Sequence, residues 1–259
     1  MNFVVKVFRT VALVALLVTS QIQAAVINTD IIFVVDDSGS MNTERQNLID
    51  NFDLFSTLLG NGGLDAKFGL VSYGFLPIAQ QLSTPELTDV DGLKSAAANF
   101  TGVGALEPVY DSIGLALNAM TNLFEFNFRD DAVANIIVVG NEGNNGGILG
   151  YDIPFLDSLL KSSGALLNVV MDIPATDELA VLATDNGGAL FGIDGLTGSE
   201  QQVSDFVTSL ANAKVQETFD YCTANPSDLA CSGVVPASAP SATLLLVFGL
   251  FGIQLRRRT

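Results

Sequence analysis

Apolar residues along this chain fall into two kinds of run that alternate. The first kind is short and unbroken: Ile31-Ile-Phe-Val-Val35, Ile136-Ile-Val-Val139 and Leu166 to Met171. Such runs fit strands buried on both faces of a parallel sheet. The second kind recurs at helical spacing. It takes in Leu48, Ile49, Phe52, Phe55 and Leu59, then Val109, Ile113, Leu117 and Met120. Phe155, Leu156, Leu159 and Leu160 form another such stripe, and Val203, Phe206, Val207 and Leu210 the last. Between them, Lys67 to Tyr73 predicts a strand, Ile78 to Leu82 a short antiparallel edge strand, and Leu190 to Ile193 a final strand. Asp89 to Phe100 and Glu178 to Ala183 predict short helices, the second ended by Asn186-Gly-Gly188. Thr43-Glu-Arg-Gln46 has the spacing of a capping box, and Pro108 suits the first turn of its helix. The alternation predicts an α/β fold: Rossmann-like and doubly wound, with a mostly parallel central sheet, helices on both faces and one antiparallel edge strand.

The two ends break the pattern. Lys6 and Arg9 precede an apolar run from Val11 to Val18, and small residues follow up to Ala24 and Ala25. Residues 1–25 therefore read as a secretory signal peptide cleaved after Ala24 or Ala25. The run is short for a bilayer span, which needs roughly 20 residues. After about Phe219 the composition turns to Ser, Pro and Ala, so residues 26–219 are expected to fold as the domain and 220–235 to form a linker. Cys222 and Cys231 sit nine apart in that linker. In an oxidising compartment they would pair as a small disulfide loop outside the core; otherwise they are two free thiols. Residues 236–259 combine Pro236-Ala-Ser-Ala-Pro240, an apolar stretch from Ala242 to Leu255 and Arg256-Arg257-Arg258. Together these resemble a PEP-CTERM sorting signal, with Pro236-Ala-Ser-Ala-Pro240 in place of the Pro-Glu-Pro of that family. The resemblance implies an exosortase-type sorting enzyme as partner and the cell surface or extracellular matrix of a Gram-negative bacterium. The alternative is a plain membrane tail, a short transmembrane helix with its arginines at the cytoplasmic face. Either reading places the body outside the cytoplasm and limits membrane contact to the terminal segments.

Composition narrows the chemistry. The 259 residues suit one α/β domain, and 49% of them are apolar, which makes the chain globular. All 28 acidic residues lie between Asp30 and Asp228, where six basic residues accompany them. Such a body repels nucleic acid and anionic lipid and attracts cations, basic proteins or cation-bridged polysaccharide; acidity also keeps exported proteins soluble. The chain has no His. That removes a histidine base and any zinc site with histidine ligands. With no nucleophile–base pair in the sequence, a non-enzymatic role is expected.

Chemistry is expected beyond the carboxyl ends of the strands, where open α/β sheets bind ligands. There Asp36-Asp37-Ser38-Gly39-Ser40 follows the first buried strand directly. Asp36, Ser38 and Ser40 offer a carboxylate and two hydroxyls, part of the oxygen shell that Mg²⁺ or Ca²⁺ requires. Asp and Ser also serve as ordinary turn and cap residues. Ile31 to Met41 resembles the first motif of the metal-ion-dependent adhesion site of von Willebrand factor A (VWA) domains. Phe68-Gly-Leu-Val-Ser-Tyr73 and the segment from Glu178 to Phe191 resemble the same family in order and spacing. The resemblance covers about residues 30–213 and implies a VWA fold serving adhesion or complex assembly. The second and third motifs of the family are degraded. Ala105 stands near the expected threonine, with Thr101 upstream and Glu107 a substitute oxygen donor. In Gly140-Asn141-Glu142, Asn141 aligns with the family's aspartate and Glu142 follows it. The resemblance thus makes Asp36, Ser38, Ser40 and Asn141 the metal ligands, with Glu107 and Glu142 secondary. For the last two the other reading is a solvated loop carboxylate. Asp37 reads as exposed or structural, and Gly143-Asn-Asn-Gly-Gly147 as a mobile loop at the binding edge. The function expected is a secreted or cell-surface binding and adhesion module engaging extracellular protein or exopolysaccharide through a divalent cation. The alternative is a metal-independent structural protein of the matrix or biofilm.

Overall fold

The unbroken apolar runs lie at the centre of the sheet. A computed structural model of the chain describes residues 26–74, 80–81, 86–102, 104, 106–120 and 125–232. Residues 1–25, Ala105 and the segment 236–259 lie outside the described residues, and so does part of Ile78 to Leu82. In chain order the elements are β1 (Ile27–Asp36), α1 (Asn42–Asp50), α2 (Phe52–Asn61), β2 (Leu64–Tyr73), β3 (Gln80–Gln81), α3 (Val90–Ala97), α4 (Val109–Ala116), β4 (Ala132–Val139), α5 (Ile153–Ser163), β5 (Leu166–Val170), α6 (Glu178–Asp185), β6 (Leu190–Phe191) and α7 (Glu200–Ala224). Short 3₁₀ turns span Gly39–Met41, Ile193–Leu196 and Leu229–Cys231.

The sheet order is β3-β2-β1-β4-β5-β6. Five strands run parallel, and β3 pairs antiparallel with β2 at the edge, Ser72 opposite Gln80. This is the doubly wound, mostly parallel α/β sheet with one antiparallel edge strand expected from the alternation. Strand periodicity sends neighbouring side chains of β1 to opposite faces. Ile31, Phe33 and Val35 pack under α1, α2, α3 and α7; Ile32 and Val34 pack under α4, α5 and α6. Phe33 anchors the first layer, its ring 5.1 Å from Phe52 and 5.6 Å from Phe55. From β1 the chain winds outward to β2 on one side and to β4, β5 and β6 on the other. The carboxyl ends of β1 and β4 therefore flank the point where the winding direction reverses.

Four expectations change. The stripe from Leu48 to Leu59 is two helices, broken at Asn51, whose side chain reaches back to the Asn47 carbonyl (2.8 Å). No capping box forms at Thr43: the 3₁₀ turn runs straight into α1, with Met41 at the cap position and no side-chain cap. The expected linker from Asp220 is overrun by α7, which continues to Ala224. Cys222 and Cys231 are bonded, Cα–Cα 5.0 Å, and both are buried in the first core layer with Ala230. The disulfide is thus part of the core and not a loop outside it, because the 3₁₀ turn Leu229–Cys231 folds back against β1 and β4.

Candidate functional site

Asp36 closes β1, and the next peptide still follows the sheet, Asp37 N donating to Tyr73 O (2.6 Å). The chain then turns sharply, because Asp36 Oδ1 accepts from Ser38 N (2.7 Å). That turn brings Ser38 Oγ to 2.9 Å from Ser40 Oγ. Asp36 and Ser38 are buried and Ser40 is exposed, so the three oxygen groups climb from floor to rim. Gly74 makes the turn possible. Its φ is +113°, and a Cβ there would lie 2.9 Å from Asp36 Oδ1 and 3.0 Å from Ser38 N.

The second side of the site is the end of β4. Val35 pairs with Val139, which sets Asp36 beside Gly140 and Asn141 one residue beyond. Gly140 is required too, since a Cβ would stand 2.2 Å from the Tyr73 hydroxyl, itself donating to Val139 O (3.3 Å). The third contribution comes from the turn before α4. Glu107 is only 4% exposed, and the Asp36 charge acts on its carboxyl. The reading of Glu107 as a solvated loop carboxylate is therefore corrected; Glu142 is exposed and meets Glu107 only through its charge.

Three buried acceptors here have no ordinary donor: Asp36 Oδ2, Glu107 Oε2 and Asn141 Oδ1. Buried oxygens without partners are costly, each on the order of 1–3 kcal/mol. The electrostatics register the same crowding. Burial pushes the Asp36 carboxyl above the usual aspartate range, against the Ser38 hydrogen bonds. Burial, and then the Asp36 charge, pushes Glu107 up to about 8. Burial and these two carboxylates push the Tyr73 hydroxyl well above its ordinary value.

The surrounding scaffold is rigidly tied. Asp37 is buried and structural: Oδ2 accepts from Thr101 N (2.8 Å) and Thr101 Oγ1 (3.0 Å), and Oδ1 from Gly102 N (2.9 Å). Thr101 is thereby committed to Asp37 and does not reach the site. Arg45 pairs with Asp37 Oδ1 at 3.2 Å, donates to Ser38 O (3.1 Å) and lies over the Phe100 ring. The glycine-rich segment is held, not loose. Glu107 and Asn145 exchange two backbone hydrogen bonds of 2.6 Å, Asn144 Oδ1 accepts from Tyr110 N, and Asp111 Oδ2 accepts from Ile148 N (2.8 Å) and Leu149 N (3.1 Å). Tyr73, Arg45 and Asp111 were not singled out by the sequence; the one signal for Arg45 was its place at helical spacing with Leu48 and Ile49, and Asp111 lies off the apolar stripe of its helix.

Two carboxyls, two hydroxyls and an amide oxygen make a hard, all-oxygen donor set. It fits Mg²⁺ or Ca²⁺, and it lacks the nitrogen and sulfur that zinc prefers. Among the described residues, no group of three or more His, Cys, Asp and Glu side chains could hold a metal ion. The site therefore depends on its hydroxyl and amide oxygens.

No family model and no curated protein matches the sequence. Solved structures do. Proximal thread matrix protein 1 from the mussel byssus matches with a TM-score of 0.51 and 19% identity, over 73% of this chain and 47% of that one. A von Willebrand factor type A structure from Catenulispora acidiphila matches with a TM-score of 0.48 and 16% identity, over 72% of this chain and 43% of that one. The chain spans less than half the length of either. The first likeness establishes kinship of fold.

Proposed function

We propose that this chain is an exported VWA-type binding module that engages extracellular protein or polysaccharide at the carboxyl ends of β1 and β4. The observation that carries the proposal is the trio of buried acceptor oxygens without donors beside the Ser38–Ser40 hydroxyl pair. Asp36, Ser38 and Ser40 would hold Mg²⁺ or Ca²⁺, with Asn141 and Glu107 as further oxygen donors; Glu142 stands at the rim. A cation there supplies a positive point in an acidic body, able to accept a carboxylate or hydroxyl from a partner. The reading is non-catalytic, since the sequence contains no histidine base. Export rests on the two terminal segments, and sorting by an exosortase-type enzyme on the second.

One observation favours a metal-independent matrix role instead. Glu107, pushed up to about 8 by burial and then by the Asp36 charge, keeps its proton at neutral pH, which removes one of the two buried charges without a cation. The fold likeness to a byssus matrix protein is in keeping with either role.

Thermal unfolding separates the two. A cation at about 100 times its Kd stabilises by about 2.7 kcal/mol. For a domain of this size that raises Tm by roughly 5 to 10 °C. This rise is expected with Mg²⁺ or Ca²⁺ over EDTA in the wild type, and none in Asp36→Ala. A wild-type Tm indifferent to both cations at pH 8.5 supports the structural role.

A further inference from the structure

Helix α7 turns one face to the sheet, burying Val203, Val207, Leu210, Ala211, Lys214, Thr218 and Cys222. Lys214 interrupts that apolar face and is fully buried. Opposite it, Asn168 interrupts the apolar strand Leu166-Leu-Asn-Val-Val170 and is fully buried too. The two side chains meet, Lys214 Nζ contacting Asn168 Oδ1. Glu217, one turn along α7, bridges them: Oε2 lies 2.8 Å from Lys214 Nζ, and Oε1 accepts from Asn168 Nδ2 (2.9 Å).

We infer that Lys214 and Asn168 become joined by an intramolecular amide bond, formed by the protein itself with Glu217 as general acid and base. Each requirement of that reaction is met by a named group. A lysine is nucleophilic only as the free amine. Burial lowers the pKa of Lys214, and Glu217 Oε2 stands where it can take the ammonium proton. The amide carbon Cγ of Asn168 is one bond from the oxygen that Nζ touches, and fixed proximity of this kind is worth several orders of magnitude in rate. The leaving nitrogen, Nδ2, is hydrogen-bonded to the other oxygen of the same carboxyl, which can return the proton.

The balance is simple. The Nζ–Cγ bond forms and the Cγ–Nδ2 bond breaks. Lys214 gives up two of its three ammonium protons, one before and one after attack; both leave on Nδ2, as ammonium, and Glu217 ends as the carboxylate it began as. No oxidant or reductant takes part. Glu217 also borders a cleft lined by Leu166, Gly187 and Tyr221, through which ammonium can depart. The product ties β5 to α7 across 46 residues of chain.

Peptide mapping by mass spectrometry of the purified, reduced full chain tests this. Cleavage at acidic residues, several of which lie between the two sites, separates Asn168 from Lys214 unless they are linked. The expected result is one branched peptide carrying both, lighter than the sum of the two parts by one ammonia, about 17 Da. Two separate peptides of unaltered mass would overturn the inference. Ammonia loss confined to the Asn168 peptide would overturn it equally, since that marks cyclisation of the asparagine alone. Glu217→Ala, checked for folding by circular dichroism and by its intact Cys222–Cys231 bond, should yield the two peptides unlinked. Full linkage in that variant would remove Glu217 from the chemistry.

Discussion

Asp36 and Glu107 are two carboxyl groups in one buried space, and their titration is the most direct consequence of the site's chemistry. Glu107 rises from an ordinary 4.5 to about 8 in the folded chain, and Asp36 is raised as well. A carboxyl raised on folding stabilises the fold fully below its unfolded pKa, and that contribution is lost as pH rises through the folded value. The cation-free protein should therefore lose stability between about pH 5 and pH 9. Glu107→Gln should flatten the profile, and Mg²⁺ or Ca²⁺ should restore stability at the alkaline end. Melting curves across this range in EDTA check it; a profile unchanged by Glu107→Gln would place the titration elsewhere. At this scale the sequence made Asp36, Ser38 and Ser40 legible, because their spacing sits within one turn after one strand. It could not reveal that Glu107 is buried, or that Asp37 serves Thr101 and Gly102, since those contacts join segments about 65 residues apart. Lys214 and Asn168 were visible as polar interruptions of apolar patterns, but their meeting depends on how α7 crosses β5.

Among the elements, the strands were read best. A run buried on both faces has little freedom to be anything else, and β1, β4 and β5 fall where the unbroken apolar runs lie. Helix ends were read less well. Thr43 has the right spacing for a cap, but a cap residue needs extended backbone. The 3₁₀ turn at Gly39–Met41 feeds the chain into α1 already coiled. The end of α7 was missed for another reason. Its polar composition after Phe219 hides that Cys222 and Cys231 return to the core. The disulfide closes a separation of nine residues, for which loop-closure entropy gives about 2.5 kcal/mol. Cys222→Ser combined with Cys231→Ser should lower Tm by roughly 5 to 10 °C. A loss near zero would mean that the last turn of α7 and the 3₁₀ turn hold together by packing alone.

Over the whole molecule, charge and topology both bear on cation binding. Five of the six basic residues of the body are held in ion pairs within the fold: Arg45, Lys94, Arg129, Lys161 and Lys214. The acidic excess is thus left facing solvent, which concentrates cations near the surface. The doubly wound sheet puts Asp36 and Asn141 at the ends of adjacent strands where the winding reverses. Among the described residues no helix is long and apolar enough to cross a membrane, and the apolar segment Ala242 to Leu255 lies beyond them. A divalent cation bound between these strand ends would join the two. Isothermal titration calorimetry of the purified chain with Mg²⁺, Ca²⁺ and Mn²⁺ tests it most directly. Saturable binding of at least one cation at one site per chain is expected, abolished in Asp36→Ala. No heat with any of the three, or the same isotherm in Asp36→Ala, would contradict it.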